Sequence, residues 1–237
     1  MKLHRDIFGM AINDYLEGNY SEDILTETGI SGVDSMSVPY LFRDYHTMPL
    51  LEQIAMDKAK GKVLDVGCGA GSHSLYLQQK GLEVTSIDVS SGAIEACKKR
   101  GLKNARNIHL LELEGEKFDT ILLMMNGTGI FKTLKEAPVY LQHLKTLLYP
   151  DGQILVDSTD LKYMYRSFGL FPRLPKDKYY GELDFIIRYK GFQSPRFPWL
   201  YLDQKTFKKL CKENQLHFEV LRQGRNYDYL ARISFDF

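Results

Sequence analysis

Residues 63–72 read VLDVGCGAGS, a short apolar run followed by three glycines at alternate positions. The run at 63–66 has the composition of a buried strand, and the segment 72–79 has helical periodicity. A glycine-rich turn between a strand and a helix lets the backbone bend sharply and lets a ligand approach the peptide groups. The stretch therefore predicts a strand, a turn and a helix, with a ligand crevice at the turn.

The alternation of strand and helix continues after this unit. Residues 118–125 are almost entirely apolar, which is typical of a central parallel strand covered on both faces. The further elements that we expect are strands over 83–87, 107–111, 118–125 and 153–157, and helices over 91–100 and 138–148. This pattern predicts the α/β class, with a Rossmann-like, doubly wound and mostly parallel sheet of seven strands.

The flanking segments are too small to form a second domain, so we predict one domain over 1–237. Asp203 can cap a helix that runs to about Glu213, and the turn at 224–226 joins two strands of a closing antiparallel hairpin. The predicted parts are an N-terminal helical or lid segment (1–60), a cofactor-binding core (61–160), an inserted strand and loop (161–202), and a final helix with the hairpin (203–237).

Composition limits the partners that we expect. The chain has 31 basic and 30 acidic side chains, a net charge of +1, and no long run of either sign, which disfavours a partner bound through nucleic-acid phosphates. The N-terminus lacks the apolar stretch of a secretion signal or membrane span. Cys68, Cys97 and Cys211 form no CxxC or Cys/His cluster for a metal. We expect a cytoplasmic protein without a metal site or a membrane partner.

An acidic residue after the second strand strengthens the cofactor interpretation. Asp88 lies 21 positions after Gly67, near the spacing at which a carboxylate reaches ribose hydroxyls. A nicotinamide dinucleotide is the first ligand to consider, but its fingerprint has glycine or alanine where this chain has Ser72. The glycine spacing here is GxGxG instead.

With Asp65 two positions before GxGxG, the segment 61–157 resembles the class I S-adenosylmethionine-dependent methyltransferases. The resemblance implies that the glycine loop lies against the methionyl part of S-adenosyl-L-methionine, that Asp65 orients its ammonium group, and that Asp88 binds its ribose. The chemistry is suitable, because an ammonium group needs an acceptor and two vicinal hydroxyls match the two oxygens of a carboxylate. The predicted cofactor-binding residues are Arg43, Asp65, Gly67, Cys68, Gly69, Asp88, Val89, Leu110, Leu111 and Asn126.

Three of these assignments leave alternatives open. The resemblance implies an acid near the adenine, but this chain has His109 there, so the backbone of the next two residues is expected to frame the base. Asn126 either contacts cofactor or acceptor, or is ordinary turn chemistry before Gly127. Arg43 either pairs with the methionyl carboxylate or lies in solvent on a packed N-terminal arm.

The methyl acceptor is expected beyond the carboxyl ends of the fourth and fifth strands. Residues 126–129 read NGTG, without the Asn/Asp-Pro-Pro-aromatic tetrad of enzymes that methylate base amines, so we expect a small-molecule acceptor. Two aromatic segments, VPYLFRDYH at 38–46 and FPWLY at 197–201, either line the acceptor pocket or are packing material. From them we predict substrate contacts by Tyr40, Tyr45 and Trp199.

No catalytic residue is assigned from the sequence. The sulfonium of the cofactor already makes its methyl group electrophilic, so a base is optional. The candidates by position for a base are His46, His73, Asp157 and Asp160. Methylation of a protein or RNA site, and cofactor binding without turnover, are the alternative functions.

Overall fold

The computed structural model describes residues 6–165 and 173–236, which form six α-helices, several short 3₁₀ helices and twelve strands. The helices are α1 (Ile7–Leu16), α2 (Leu50–Lys58), α3 (Ser72–Gln79), α4 (Ser91–Lys99), α5 (Ala137–Thr146) and α6 (Gln204–Glu213). The strands are β1 (Ile24–Thr28), β2 (Gly32–Met36), β3 (Lys62–Val66), β4 (Glu83–Asp88), β5 (Ala105–Asn107), β6 (Phe118–Leu123), β7 (Leu148–Thr159), β8 (Glu182–Tyr189), β9 (Phe192–Gln193), β10 (Phe197–Leu200), β11 (Leu216–Gln223) and β12 (Asp228–Phe235). None of the helices in these ranges is long and apolar enough to cross a membrane.

The larger sheet has seven strands in the order β11-β12-β7-β6-β3-β4-β5. The pairs from β7 to β5 are parallel, whereas β12 pairs antiparallel with both β7 and β11. The apolar strand β6 lies in the middle, and its residues 120–123 are fully buried between the helical layers. The predicted Rossmann-like fold with a C-terminal antiparallel hairpin is therefore confirmed.

Three predicted strand boundaries need correction. β5 lies at Ala105–Asn107 rather than at 107–111, because the side chain of His109 caps a 3₁₀ helix, Leu110–Glu112, and so ends the extended backbone. β6 ends at Leu123, because the chain then turns through positive φ at Met125 and Asn126. β7 begins at Leu148, and residues 149–152 loop out between the pairs Phe118–Leu148 and Thr120–Gln153.

A second, antiparallel sheet joins the N-terminal segment to the insertion. Its strands follow the order β10-β8-β1-β2, with β9 paired to β8, and Thr26 of β1 lies opposite Ile187 of β8. The sequence predicts a helical or lid segment over 1–60, so both the β1–β2 hairpin and its pairing with β8 are corrections to that prediction. A two-stranded hairpin is marginal alone, so the insertion supplies the third strand and an apolar face that α1 covers.

Helix α1 also packs against α4, beside the end of β4. A Cβ on Gly92 of α4 would lie 2.7 Å from the Cα of Gly9 in α1, so only two glycines allow this approach. The Asp6 carboxylate accepts hydrogen bonds from Ser90 Oγ (2.7 Å) and Gly92 N (2.9 Å). The N-terminal helix is thereby attached to the loop that follows Asp88.

Candidate functional site

The glycine loop has the backbone geometry that the sequence predicts. Gly67, Gly69 and Gly71 have φ values of 72°, 53° and 84°, in the left-handed region that favours glycine. A Cβ on Gly71 would lie 2.8 Å from Leu102 Cδ1, whereas no atom lies within 4 Å of the corresponding point at Gly69. The loop is thus packed on one side and open at Gly69, where a ligand can reach the peptide groups.

Asp88 lies directly against this loop. Its Oδ2 accepts a hydrogen bond from the N–H of Gly69 (2.9 Å), and its Oδ1 accepts one from the N–H of Ser90 (2.8 Å). Burial raises the pKa of the Asp88 carboxyl above its ordinary value, and these two N–H groups oppose that shift. The two hydrogen bonds fix the carboxylate in place. Each of its oxygens keeps a further lone pair, so it can still accept a hydrogen bond from a ligand.

Asp65 is a buried carboxylate on the neighbouring strand. Ser74 Oγ donates to its Oδ2 at 2.5 Å, and Ser86 Oγ donates in turn to Ser74 Oγ at 2.7 Å. Burial raises the pKa of the Asp65 carboxyl, and the nearby His73 and Arg43 oppose the rise. A carboxylate held by a hydroxyl in a buried setting is a favourable partner for a cationic ligand group.

Arg43, Glu52 and His73 form a buried group that we call the Arg43 cluster. Glu52 Oε2 accepts from Arg43 Nε (2.8 Å), Arg43 Nη2 (2.6 Å) and His73 Nε2 (2.8 Å). The three residues are 8%, 5% and 6% exposed, respectively. Burial alone would raise the pKa of Glu52, but His73 and Arg43 outweigh it and hold that pKa below its ordinary value. Glu52 is therefore ionised at neutral pH, and His73 Nε2 carries the hydrogen.

Asp157 lies on β7, on the far side of β6 from Asp65. Its Oδ2 accepts from the N–H of Asn126 (3.0 Å) and its Oδ1 from the N–H of Gly127 (3.3 Å). Burial raises the pKa of Asp157 to about 6, and the charge of Glu52 adds to the rise. The Asn126 side chain accepts from Thr159 Oγ1 at 2.7 Å, so it has a structural partner besides its place in the turn.

Four partly buried aromatic side chains, in or directly after β8 and β10, form a surface that we call the aromatic wall: Phe185, Phe197, Trp199 and Tyr201. Trp199 packs on the backbone after β6, because a Cβ on Gly129 would lie 1.8 Å from its Cε2 atom. Burial raises the pKa of Tyr201 to about 12, with smaller contributions from Tyr163 and Asp157. The aromatic wall therefore stands over the ends of β6 and β7.

The structure brings together most of the predicted site residues, though not all of them. Tyr40 stacks on Arg43, with the guanidinium carbon 4.2 Å from the ring centroid. Tyr45 lies elsewhere, because its ring stacks on Tyr76 and its hydroxyl donates to Asp57 at 2.8 Å. The side chain of Cys68 points towards Cys97, with the sulfurs 3.9 Å apart, which leaves only its backbone for a ligand.

The predicted adenine side consists of residues at or after the ends of β4 and β5. Val89 is 70% exposed, Leu110 is buried, and Leu111 is half-buried. His109 Nδ1 accepts from the N–H of Leu111 at 3.2 Å, so its side chain has a capping role.

Two of the four candidate bases lie away from the cluster of predicted residues. His46 is exposed beside Tyr45, and Asp160 accepts from Tyr180 Oη at 2.9 Å. His73 belongs to the Arg43 cluster, and Asp157 is near enough to Tyr201 of the aromatic wall to add to the rise in the pKa of that phenol.

Sequence reasoning missed the Glu52 side of the Arg43 cluster, the Ser74 partner of Asp65, and Phe185. Glu52 is in a short helix whose apolar residues at 51, 54 and 55 indicate the buried face, and a charged side chain on such a helix is expected in solvent, yet Glu52 is only 5% exposed. Only the packing of α2 against α3 brings it to His73, so no local signal identifies it.

Comparison with known proteins agrees with this geometry. The sequence profile of a methyltransferase domain family matches residues 57–224. The chain belongs to the class I S-adenosylmethionine-dependent methyltransferases. A ubiquinone biosynthesis O-methyltransferase from Haemophilus ducreyi is 28% identical to this methyltransferase over 206 residues, which span 77% of this chain and 81% of the relative.

Solved structures give the same result. A methyltransferase from Bacteroides fragilis in complex with S-adenosyl-L-homocysteine is 39% identical and matches 100% of this methyltransferase and 98% of that chain, with a TM-score of 0.92. DesVI from Streptomyces venezuelae is 18% identical, with a TM-score of 0.61 over 84% of this methyltransferase and 95% of that chain, and shares the fold. The predicted family and enzyme class are confirmed.

Proposed function

We propose that this methyltransferase binds S-adenosylmethionine across the carboxyl ends of β4, β3 and β6, and transfers its methyl group to a small molecule beneath the aromatic wall. The observation that carries the proposal is the hydrogen bond from Gly69 N–H to the Asp88 carboxylate, because it holds this carboxylate, the proposed partner of the ribose, against the open part of the glycine loop. One ligand can therefore contact both the Asp88 carboxylate and the peptide groups of the glycine loop.

The order of the acidic side chains supports this orientation. Four neighbouring strands lie in the order β4, β3, β6 and β7. Asp88 ends β4, Asp65 lies near the end of β3, the turn at Asn126 follows β6, and Asp157 lies near the end of β7. They span three strand spacings, about 14 Å, which suits an elongated ligand. Asp88 then binds the ribose hydroxyls, Asp65 the ammonium group, and Arg43 the carboxylate of the methionyl end.

When bound, the cofactor supplies an electrophilic methyl group on a sulfonium. The protein must hold the acceptor atom in line with the breaking bond and keep water away. The aromatic wall, with Trp199 against Gly129, is suited to both tasks, since it covers the ends of the strands beyond the methionyl side. Asp157 lies on this side and accepts a proton where the acceptor is a hydroxyl.

A small acceptor is favoured over a protein or RNA site. The four aromatic side chains of the aromatic wall contact one another and provide an apolar surface, and aromatic linings are typical of small-molecule pockets. The net charge of +1 gives no general attraction for RNA phosphates. The Haemophilus relative is named for ubiquinone biosynthesis, which is a small-molecule pathway. The three cysteines are free, which supports a location in the reducing cytoplasm.

Calorimetry with S-adenosylmethionine and S-adenosylhomocysteine tests the cofactor part. We expect both to bind the wild type, and Asp88→Ala to weaken both by about 1–3 kcal/mol, because hydrogen bonds to the ribose are lost. Asp151→Ala, at an exposed carboxylate, is the matched control and should bind like the wild type. Equal affinities for the Asp88→Ala variant and the wild type would contradict the assignment.

The acceptor part is tested by methyl release over a panel of small hydroxyl and amine compounds, with RNA and protein extracts as separate arms. Trp199 is the single tryptophan, so its fluorescence reports acceptor binding independently of turnover. We expect a compound that is methylated to change this emission. Methylation confined to the RNA or protein arm would overturn the small-molecule proposal.

A further inference from the structure

We propose that Glu52 and His73 are positioning residues that hold the Arg43 guanidinium in the orientation that receives the cofactor's methionyl carboxylate. This inference rests on the function proposed above, in which Arg43 contacts that carboxylate. It assigns a task to two buried polar side chains that the methyl transfer itself does not use.

The Arg43 cluster connects three separate elements. Arg43 follows the 3₁₀ helix Pro39–Phe42, Glu52 is in the first turn of α2, and His73 is the second residue of α3. One carboxylate oxygen, Glu52 Oε2, accepts from the other two side chains at 2.6–2.8 Å. The N-terminal segment is also held to α3 by a hydrogen bond from Ser72 Oγ to the carbonyl oxygen of Leu41 (2.8 Å). Arg43 is therefore fixed relative to the glycine loop.

The position of the cluster matches the methionyl end. His73 lies in the first turn of α3, two residues after the glycine loop, and this helix follows β3, the strand of Asp65. Arg43 and His73 lie near enough to Asp65 to oppose the rise in its pKa. Asp88, on the next strand, marks the ribose end. If the ammonium group of the cofactor binds Asp65, the carboxylate of the same methionyl end is close enough to be attracted by the Arg43 guanidinium.

The hydrogen bonds of Arg43 leave two donors for a ligand. Of the five N–H groups of a guanidinium, two donate to Glu52 and one, on Nη1, to the Tyr40 carbonyl oxygen at 2.8 Å. Arg43 Nη2 also lies 3.5 Å from His73 Nε2. This contact is not a hydrogen bond, because Nε2 donates its own hydrogen to Glu52 and both atoms are then donors. Within the described residues, one N–H on each terminal nitrogen remains, the pair that matches the two oxygens of a carboxylate.

Glu52 and His73 have complementary effects on this pair of donors. Glu52 binds the Nε and Nη2 side of the guanidinium, which leaves one N–H on each terminal nitrogen for a ligand and compensates the buried positive charge. His73 donates to the same oxygen and so limits rotation of the Glu52 carboxylate. Removal of either is expected to let Arg43 rotate away without altering the adenosyl end.

The experiment compares two ligands by calorimetry. S-adenosylhomocysteine has the amino-acid group, whereas 5′-methylthioadenosine shares the adenosyl and thioether groups and lacks it. We expect Glu52→Gln and His73→Leu to weaken S-adenosylhomocysteine binding by about tenfold or more, with 5′-methylthioadenosine affinity kept within about twofold. His73→Gln keeps an N–H donor and should restore most of the S-adenosylhomocysteine affinity. Glu95→Gln, at an exposed carboxylate of α4, is the control for both ligands.

A double variant keeps the test decisive if a single variant fails to fold. Arg43→Met with Glu52→Met removes both buried charges together, which proteins tolerate better than the loss of one. We expect its affinity for S-adenosylhomocysteine to equal that of Arg43→Met alone, because Glu52 acts only through Arg43. Equal weakening of both ligands, or an additional loss in the double variant, overturns the proposal. A wild type that binds neither ligand would instead contradict the proposed function.

Discussion

At the scale of single residues, the edge of the larger sheet is negatively charged and partly desolvated. Burial raises the pKa values of Asp65, Asp88 and Asp157, in each case against hydrogen bonds that favour the ionised form. Such carboxylates are costly in the free protein and gain most from a cationic partner. A cofactor with an ammonium and a sulfonium group offers two positive charges along the same edge, so its binding relieves this cost.

The protonation of Asp157 gives a prediction for stability. Its pKa is about 6 in the fold, against about 3.9 for an unperturbed aspartate. Between these values the folded protein binds a proton that the unfolded chain has lost, so the stabilisation is complete below about pH 4 and is lost as the pH rises towards about 6. We expect the free energy of unfolding of the wild type, relative to that of Asp157→Asn, to fall between pH 4 and pH 7.

Urea denaturation at several pH values measures this difference. Asp151→Asn, at an exposed carboxylate, is the control and should follow the wild type at every pH. Parallel profiles for the wild type and Asp157→Asn would show that the carboxyl of Asp157 has an ordinary pKa, and would contradict the prediction.

At the scale of elements, the second sheet decides what covers the site. β8 and β10, both from the insertion, carry the aromatic wall, and β1 from the N-terminal segment pairs with β8 on its other edge. Helix α1 covers the apolar face of this sheet and packs on α4 through Gly9 and Gly92. The second sheet is thus joined to the larger one through α1 on α4 and through Trp199 on the backbone after β6.

The contact between Trp199 and Gly129 predicts the effect of one added methyl group. Gly129→Ala places a Cβ within the volume of the indole ring, so the ring must move away from the backbone after β6. We expect a shift in the emission of this single tryptophan and a loss of methyl transfer, with S-adenosylhomocysteine affinity close to that of the wild type. Calorimetry and fluorescence on the same samples measure both effects.

The control for this variant is Gly115→Ala, which meets no atom within 4 Å but has a positive φ of 75°, so it reports general backbone strain far from Trp199. A Gly129→Ala variant with unchanged Trp199 emission would show that the aromatic wall is not packed on this backbone.

At the scale of the whole molecule, several hydrogen bonds beside the crevice hold the N-terminal segment to the cofactor-binding core. They include the bond from Ser90 to Asp6 after Asp88, the bond from Ser72 to the Leu41 carbonyl, and the bond from His73 to Glu52. Each lies beside a residue predicted to contact the cofactor. Ligand binding and the docking of this segment should therefore stabilise each other.

Binding of S-adenosylhomocysteine is accordingly expected to stabilise the whole chain. At a free concentration of 100 times its dissociation constant, the gain in the free energy of unfolding is about 2.7 kcal/mol for a ligand that binds only the folded state. Urea denaturation with and without ligand measures it, and Asp88→Ala at the same ligand concentration should gain less. If saturating S-adenosylhomocysteine leaves the urea midpoint of the wild type unchanged, the folded protein does not bind this ligand and the prediction is contradicted.

Local sequence determined the fold class and the cofactor side of the site. Alternating apolar runs and helical periods specify the parallel sheet, and the backbone at 67–71 turns through positive φ, so its glycines mark the loop directly. Asp65 and Asp88 follow from the strands that carry them, because the end of a parallel strand has one place in such a sheet.

The tertiary structure alone decided the second sheet, the place of Glu52 beside Arg43 and His73, and the packing of the aromatic wall. The pairing of β1 with β8 brings together residues about 160 positions apart, such as Thr26 and Ile187, and the short strands involved carry no register signal in their own sequence. Glu52 meets Arg43 and His73 only because α2 packs beside α3. Contacts of this kind depend on the packing of whole elements, and the periodicity within an element records only which of its faces is apolar.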